Sequence, residues 1–135
     1  MKKIKVFLTV SISALAIVLF TTLSVSAGVL QFNEATPTMM QWKKLSSRTK
    51  EQSSYMSGII MHRKENDALQ FQVRGQNSSN SWNEWYTTTV VTAINQNFVV
   101  RFDNNYGSGT KVQARFRNHN WTLGSGVAQG EWRYF

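Results

Sequence analysis

Hydrophobic and polar residues alternate one by one along much of the second half of the chain. In segment 69–73 the apolar residues are separated by single polar residues, and segment 111–117 repeats the pattern. A period of two places the apolar side chains on one face of a β-strand and the polar ones on the other. The sequence therefore predicts strands with one face in a core and one in water.

Further strands are predicted where β-branched and aromatic residues are dense between turns rich in Asn, Ser and Gly. These segments are 59–61, 85–91, 98–102 and 127–134. Strands at such regular spacing, with no strong helical pattern between them, favour a sandwich or a barrel. The prediction is one all-β domain over residues 55–135, a small antiparallel β-sandwich or barrel of about six to seven strands.

Residues 28–54 do not show the same alternation. Thr38 follows Pro37 and is suited to cap a short helix over 38–45, in which apolar residues recur at intervals of three. The polar stretch 46–54 that follows is typical of an exposed edge strand or a loop. We expect 28–54 to be an N-terminal arm that forms either a short helix or an edge strand.

The N-terminus has the pattern of an export signal. Lysines at the start precede an apolar run over 6–20, and small side chains lead to Ala27. This order is typical of a signal peptide, and an apolar run of about 15 residues is shorter than the roughly 20 of a membrane-spanning helix. We expect residues 1–27 to be a signal peptide that is cleaved after Ala27, so that the protein is secreted.

The amino-acid composition excludes several kinds of site and favours one kind of partner. The chain has 135 residues, 15 Lys and Arg, 7 Asp and Glu, and no cysteine, with a net charge of +8. Removal of 1–27 would leave 108 residues with a net charge of +5. The absence of cysteine excludes disulfides, thiol nucleophiles and cysteine-based metal sites. The positive balance favours an anionic partner, and nucleic acid is the least favoured because of the export signal.

A cluster of cations marks one predicted strand. Lys111, Arg115 and Arg117 share its polar face, and we expect Arg101 to lie across the preceding turn from them. Such a face is suited to an anionic cell-wall polymer or a membrane surface. The alternative is an ordinary solvated face of an antiparallel sheet.

A second cluster is aromatic. Trp82, Trp85 and Tyr86 stand beside Asn83 and Glu84 after a loop rich in Asn and Ser. Aromatic rings next to polar side chains are suited to bind a glycan or to enter a membrane interface. We expect Trp82 in the loop to be exposed and Trp85 at the start of a strand to lie in the core.

The sequence contains no residue pattern that clearly indicates catalysis. The two histidines, His62 and His119, lack metal-ligand spacing, and no nucleophile has an evident base. Glu84 and Glu131 are a conceivable carboxylate pair, but a domain of this size offers little cleft. A closing strand whose Trp132 packs into the core is the simplest interpretation of the C-terminus. We expect a protein that is not an enzyme and uses no cofactor or metal.

The cleavable signal, the cysteine-free β domain, the Asn/Ser/Gly-rich turns and the Gly-x-Trp near the end resemble small exported proteins of Gram-positive bacteria. These include uncharacterised secreted families and bacteriocins of the lactococcin 972 type. The resemblance implies a small, exported, β-rich protein and no particular site residue.

The leading hypothesis is a secreted cationic protein that binds the anionic cell envelope, in a bacteriocin-like role. The alternatives are a carbohydrate-binding module and a self-associating structural or matrix protein. The oligomeric state stays open.

Overall fold

The structure, a computed structural model, describes residues 28–120 and 126–135. The predicted export signal lies outside these residues. The strands are β1 (Val29–Ala35), β2 (Lys43–Lys44), β3 (Arg48–Thr49), β4 (Ser54–Lys64), β5 (Leu69–Gly75), β6 (Thr89–Val91), β7 (Asn97–Tyr106), β8 (Lys111–Asn118) and β9 (Val127–Arg133). The described part of the chain contains no helix that is long and apolar enough to cross a membrane.

The strands form two antiparallel sheets. The first sheet has the order β1-β9-β4-β7, and the second has the order β2-β8-β5-β6, with β3 also paired with β8. Neither sheet closes on itself. The all-β prediction is confirmed, and the architecture is a sandwich rather than a closed barrel. The described residues form nine strands rather than six or seven, because 28–54 contributes three.

The core lies between the two sheets and is built around aromatic rings. Phe32 of the first sheet contacts Phe71 and Phe116 of the second, with ring centroids 6.2 and 5.8 Å away. Phe71 and Phe116 are stacked at 5.5 Å. Trp132 of β9 is fully buried, as expected, and its ring is 5.2 Å from that of Tyr134.

Strict alternation explains how β5 and β8 contribute to this core. Buried and half-buried residues alternate along both strands. The register places Phe71 opposite Phe116 and Val73 opposite Ala114, so the apolar faces of both strands coincide. The same register places their polar side chains together on the outer face, except Asn118 at the end of β8, which is buried.

The helix expected over 38–45 is wrong. Met39 and Met40 have φ angles of 55° and 59°, in the left-handed region that a right-handed helix excludes. They form a turn in which the Gln41 amide donates to the Thr38 carbonyl at 3.1 Å. Residues 28–54 instead contribute strands to both sheets, since β1 is an edge of the first sheet and β2 and β3 pair with β8 of the second.

The outer face of the first sheet carries an acid network centred on Glu131. Arg133 donates to its carboxylate at 3.0 Å, and His62 lies 3.1 Å away on the other oxygen. Hydrogen bonds from Gln31, Arg133 and His62 lower the pKa of Glu131 to about 2. The carboxylate therefore stays ionised far into the acid range.

Truncation of the aromatic core should destabilise the whole sandwich. We expect Phe116→Ala to lower the free energy of unfolding by about 3–5 kcal/mol, because it leaves a cavity between the sheets. Tyr55→Ala is the control, since Tyr55 is an aromatic residue with 56% of its surface exposed. Urea unfolding followed by tryptophan fluorescence measures both, and equal losses would contradict this description of the core.

The Glu131 network should make stability depend on acid pH. The folded pKa of Glu131 is below its ordinary value of 4.5, so its contribution is complete above about pH 4.5 and is lost as the pH falls towards about 2. We expect Glu131→Gln to flatten the dependence of the unfolding free energy on pH in that window. Urea titrations at several pH values test this, and an unchanged slope would refute it.

Candidate functional site

Arginine and tryptophan side chains alternate in a row on the outer face of the second sheet. In order of contact the row contains Trp82, Arg74, Trp85, Arg115, Trp42 and Arg117. Each guanidinium carbon lies 4.2–4.8 Å from the centroid of the neighbouring ring. All six residues are half-buried. We call this set the arginine–tryptophan row.

The pairing of β5 with β8 fixes the arginines of the row. Each one lies opposite a glutamine of the neighbouring strand, in the pairs Gln70–Arg117, Gln72–Arg115 and Arg74–Gln113. In every pair the guanidinium donates to the glutamine Oε1, over distances of 2.6–2.9 Å. The three charges are thus held in place by neutral acceptors and not by carboxylates.

The tryptophans reach the row from two other segments. Trp42 directly precedes β2, which pairs with β8. Trp82 forms an isolated β-bridge with Gln76, whereas Thr89 pairs with Phe71. The five steps from Phe71 to Gln76 therefore face the seven steps from Thr89 back to Trp82, which is a bulged, irregular arrangement.

This irregular segment corrects the interpretation of Trp85. The strand expected from residue 85 begins only at Thr89, and Trp85 lies on the outer face rather than in the core. Regular alternation would place residues three apart on opposite faces. The two extra residues allow Trp82 and Trp85 to contact the same guanidinium, that of Arg74.

The row carries three positive charges that no ion pair in the described part of the chain neutralises, although the charge of Glu84 acts on Arg74 and Arg115. Among the ion pairs of the described residues, none involves Arg74, Arg115 or Arg117. Burial, followed by the charges of Arg74 and Arg117, lowers the pKa of Arg115 to about 10, against a smaller opposing effect of Glu84. Burial likewise lowers the pKa of Arg74. An anion on this surface would relieve the crowding of like charges.

The cations predicted from the sequence do not all meet. Lys111, Arg115 and Arg117 share the outward face of β8, with Lys111 at the start of the strand. Arg101 does not join them, which corrects the expected placement. Its strand, β7, pairs with β4 in the first sheet, where Arg101 lies opposite Met56.

The aromatic cluster is also divided. Trp82 and Trp85 belong to the row, and the ring of Trp85 already contacts two guanidinium groups. Tyr86 is 45% exposed and has no part in the row. Glu84 and Glu131 lie on different sides of the sandwich and form no carboxylate pair. Within the described residues, no group of three or more acids and histidines could hold a metal ion.

Several residues of the row were not singled out from the sequence. Trp42 lies in segment 38–45, whose helical spacing does not form a helix, and Arg74 directly follows the alternating segment 69–73. The glutamines opposite the arginines have no distinctive local pattern. The available signal was the Gln/Arg content of the polar positions in both alternating strands, which becomes informative only once the two strands are paired.

Comparisons with known proteins give little further information. No family model matches the chain, and no curated protein matches it. A solved structure described as the crystal structure of PirA is similar, with 12% identity, a TM-score of 0.46, and coverage of 78% of this chain and 93% of that one.

The contacts of Trp85 should contribute measurably to stability. We expect Trp85→Leu to lower the free energy of unfolding by about 1–3 kcal/mol, because it removes ring contacts with two guanidinium groups. Tyr86→Leu, at an adjacent exposed aromatic, should change it by about 0.5 kcal/mol or less. Urea unfolding measures both variants. An equal effect of the two substitutions would show that the row does not stabilise the sheet.

Proposed function

We propose that this protein is an exported, non-enzymatic binding protein whose arginine–tryptophan row attaches to anionic polymers of the bacterial cell envelope. One observation carries the proposal: three guanidinium groups are aligned on one sheet face and hydrogen-bonded to neutral glutamines. A row built only for stability would gain more from carboxylate partners, since charge-assisted bidentate pairs are stronger. Neutral partners preserve the charge for an external ligand.

The guanidinium groups of the row keep N–H donors that an anionic ligand could use. Arg115 uses Nε and one terminal nitrogen on Gln72, at 2.9 and 2.6 Å. A guanidinium carries five N–H groups, so further donors remain on its other terminal nitrogen. The adjacent tryptophan rings hold the guanidinium planes in place, which reduces the entropy lost when a phosphate or carboxylate binds.

Export and cationic charge support the envelope as the location of the ligand. The N-terminal pattern predicts secretion after cleavage at Ala27, and the remaining chain would keep a net charge of +5. A secreted cationic protein meets the anionic polymers and lipids of bacterial surfaces first. A bacteriocin-like role in competition between Gram-positive bacteria is the form of this function that the resemblance in layout suggests.

A single substitution can neutralise the middle of the three charges, that of Arg115, without removing any member of the row. Gln72→Glu places a carboxylate at Arg115 in nearly the same shape, so we expect the fold to be retained and the melting temperature to be unchanged or raised. Binding to purified teichoic acid or to phosphatidylglycerol vesicles should weaken about tenfold, which corresponds to about 1.4 kcal/mol. Binding of the unmodified protein should also fall as salt is added.

The matched control is Gln129→Glu, which adds the same charge on the exposed face of β9 in the other sheet. We expect this variant to bind almost as well as the unmodified protein. Equal weakening by both substitutions would mean that only net charge matters, and binding that is unaffected by Gln72→Glu would refute the row as the binding surface. Calorimetry and vesicle co-sedimentation give both readouts.

A further inference from the structure

A surface cleft of about 880 Å³ lies at the end of the arginine–tryptophan row marked by Trp82. Gln76, which forms the β-bridge with Trp82, lines it. Amide side chains dominate its lining, namely Gln76, Asn77, Asn80, Asn83, Asn104 and Asn105. The hydroxyl groups of Ser78, Tyr106 and Thr110 and the amine of Lys111 also line it.

Hydrogen bonds hold both walls of the cleft in place. On one side the Asn77 side chain accepts from the amides of Ser79 and Ser81, at 2.9 and 3.0 Å. On the other, Gly109 donates to the carbonyl of Lys50 at 2.8 Å, with a φ of 87° that favours glycine. The lining is therefore arranged before any ligand arrives, which lowers the cost of binding.

A buried tyrosine supports the base of the cleft. The Tyr106 hydroxyl donates to Asp103 and accepts from the Asn83 amide, both at 2.6 Å. Its ring packs on Gly75, where a Cβ atom would come within 2.5 Å of the ring. Burial raises the pKa of Tyr106 to about 12. The tyrosine hydroxyl therefore keeps its proton at neutral pH and remains a hydrogen-bond donor. Asn83 is thereby fixed in orientation.

The lining selects a class of ligand by its chemistry. Each amide presents both a donor and an acceptor, and so does each hydroxyl of a sugar. A simple anion would suit Lys111, but it offers only acceptors and would face the more numerous amide oxygens unfavourably. An apolar ligand would leave the amides without partners, which costs free energy for every group buried. A neutral molecule with several hydroxyl groups is able to pair with both the donors and the acceptors that these amides leave free.

We propose that this cleft is a binding site for an uncharged glycan, separate from the anion-binding surface proposed above. Tyr106 gives the lining an aromatic side chain beside the amides, the combination of apolar surface and directed polar groups that ligand sites share. Because Gln76 joins the cleft to the row, one polymer that carries both sugars and anionic groups is able to reach both sites.

The test uses the full secreted chain and uncharged oligosaccharides of glucose, galactose, mannose and N-acetylglucosamine, first on a printed array and then by titration calorimetry. We expect at least one of them to bind, with an affinity that is unchanged by added salt. Gln76→Ala and Asn105→Ala should each weaken binding by about 3- to 10-fold, the effect of one lost hydrogen bond. Neither side chain is used to hold the turns or Tyr106.

Gln129→Ala, an exposed amide in the other sheet, is the control and should bind normally. Gln72→Glu should also leave sugar binding intact, so failure of the anion-binding proposal and failure of this one are distinguishable. Absence of binding to every oligosaccharide, or equal losses in Gln129→Ala, would overturn the proposal. Binding that salt abolishes would also overturn it, because it would place the ligand on the charged row.

Discussion

The antiparallel pairing of β5 with β8 is the constraint on which both faces of the second sheet depend. On the inner face the register stacks Phe71 on Phe116 and completes the core against Phe32. On the outer face the same register sets each arginine of the row opposite a glutamine. A shift of one residue would exchange the two faces and destroy the core and the row together. The position of the charged side chains is thus fixed by the free energy of packing the apolar ones.

This coupling explains how a half-buried row of like charges is tolerated. The repulsion within it is opposed by contacts with tryptophan rings, each worth about 0.5–2 kcal/mol, and by hydrogen bonds to glutamine. The core supplies the stability that keeps the arrangement in place without disulfides, since the chain has no cysteine. The result is a preformed positive surface that ends at a preformed polar cleft. The anion binding proposed for the row should weaken as salt is added, whereas the glycan binding proposed for the cleft should not change. The two functions can therefore be separated by experiment.

The sequence predicted the fold well where alternation was strict. Segments 69–73 and 111–117 were identified with their correct faces, and Trp132 was correctly expected in the core. Prediction failed where non-local pairing decides the structure. Trp42 has a helical spacing from its apolar neighbours, but two residues with left-handed backbone angles, Met39 and Met40, form a turn there instead. Trp85 has the pattern of a core residue because the bulge before Thr89 is not visible in the sequence. Arg101 was misplaced because the chain changes sheets between β7 and β8. The Gln–Arg pairs depend on strands far apart in sequence, so no local pattern could have indicated them.

The most direct measurement is a titration followed by nuclear magnetic resonance of the arginine Nε–H and tryptophan Nε1–H groups. The isotopically labelled secreted chain would be titrated with purified teichoic acid at low salt. We expect the signals of Arg74, Arg115 and Arg117 to shift together with those of Trp42 and Trp85 and to saturate. The signals of Arg48 and Arg101 should stay in place. Shifts confined to arginines outside the row, or spread evenly over all of them, would contradict the claim that the row is the binding surface.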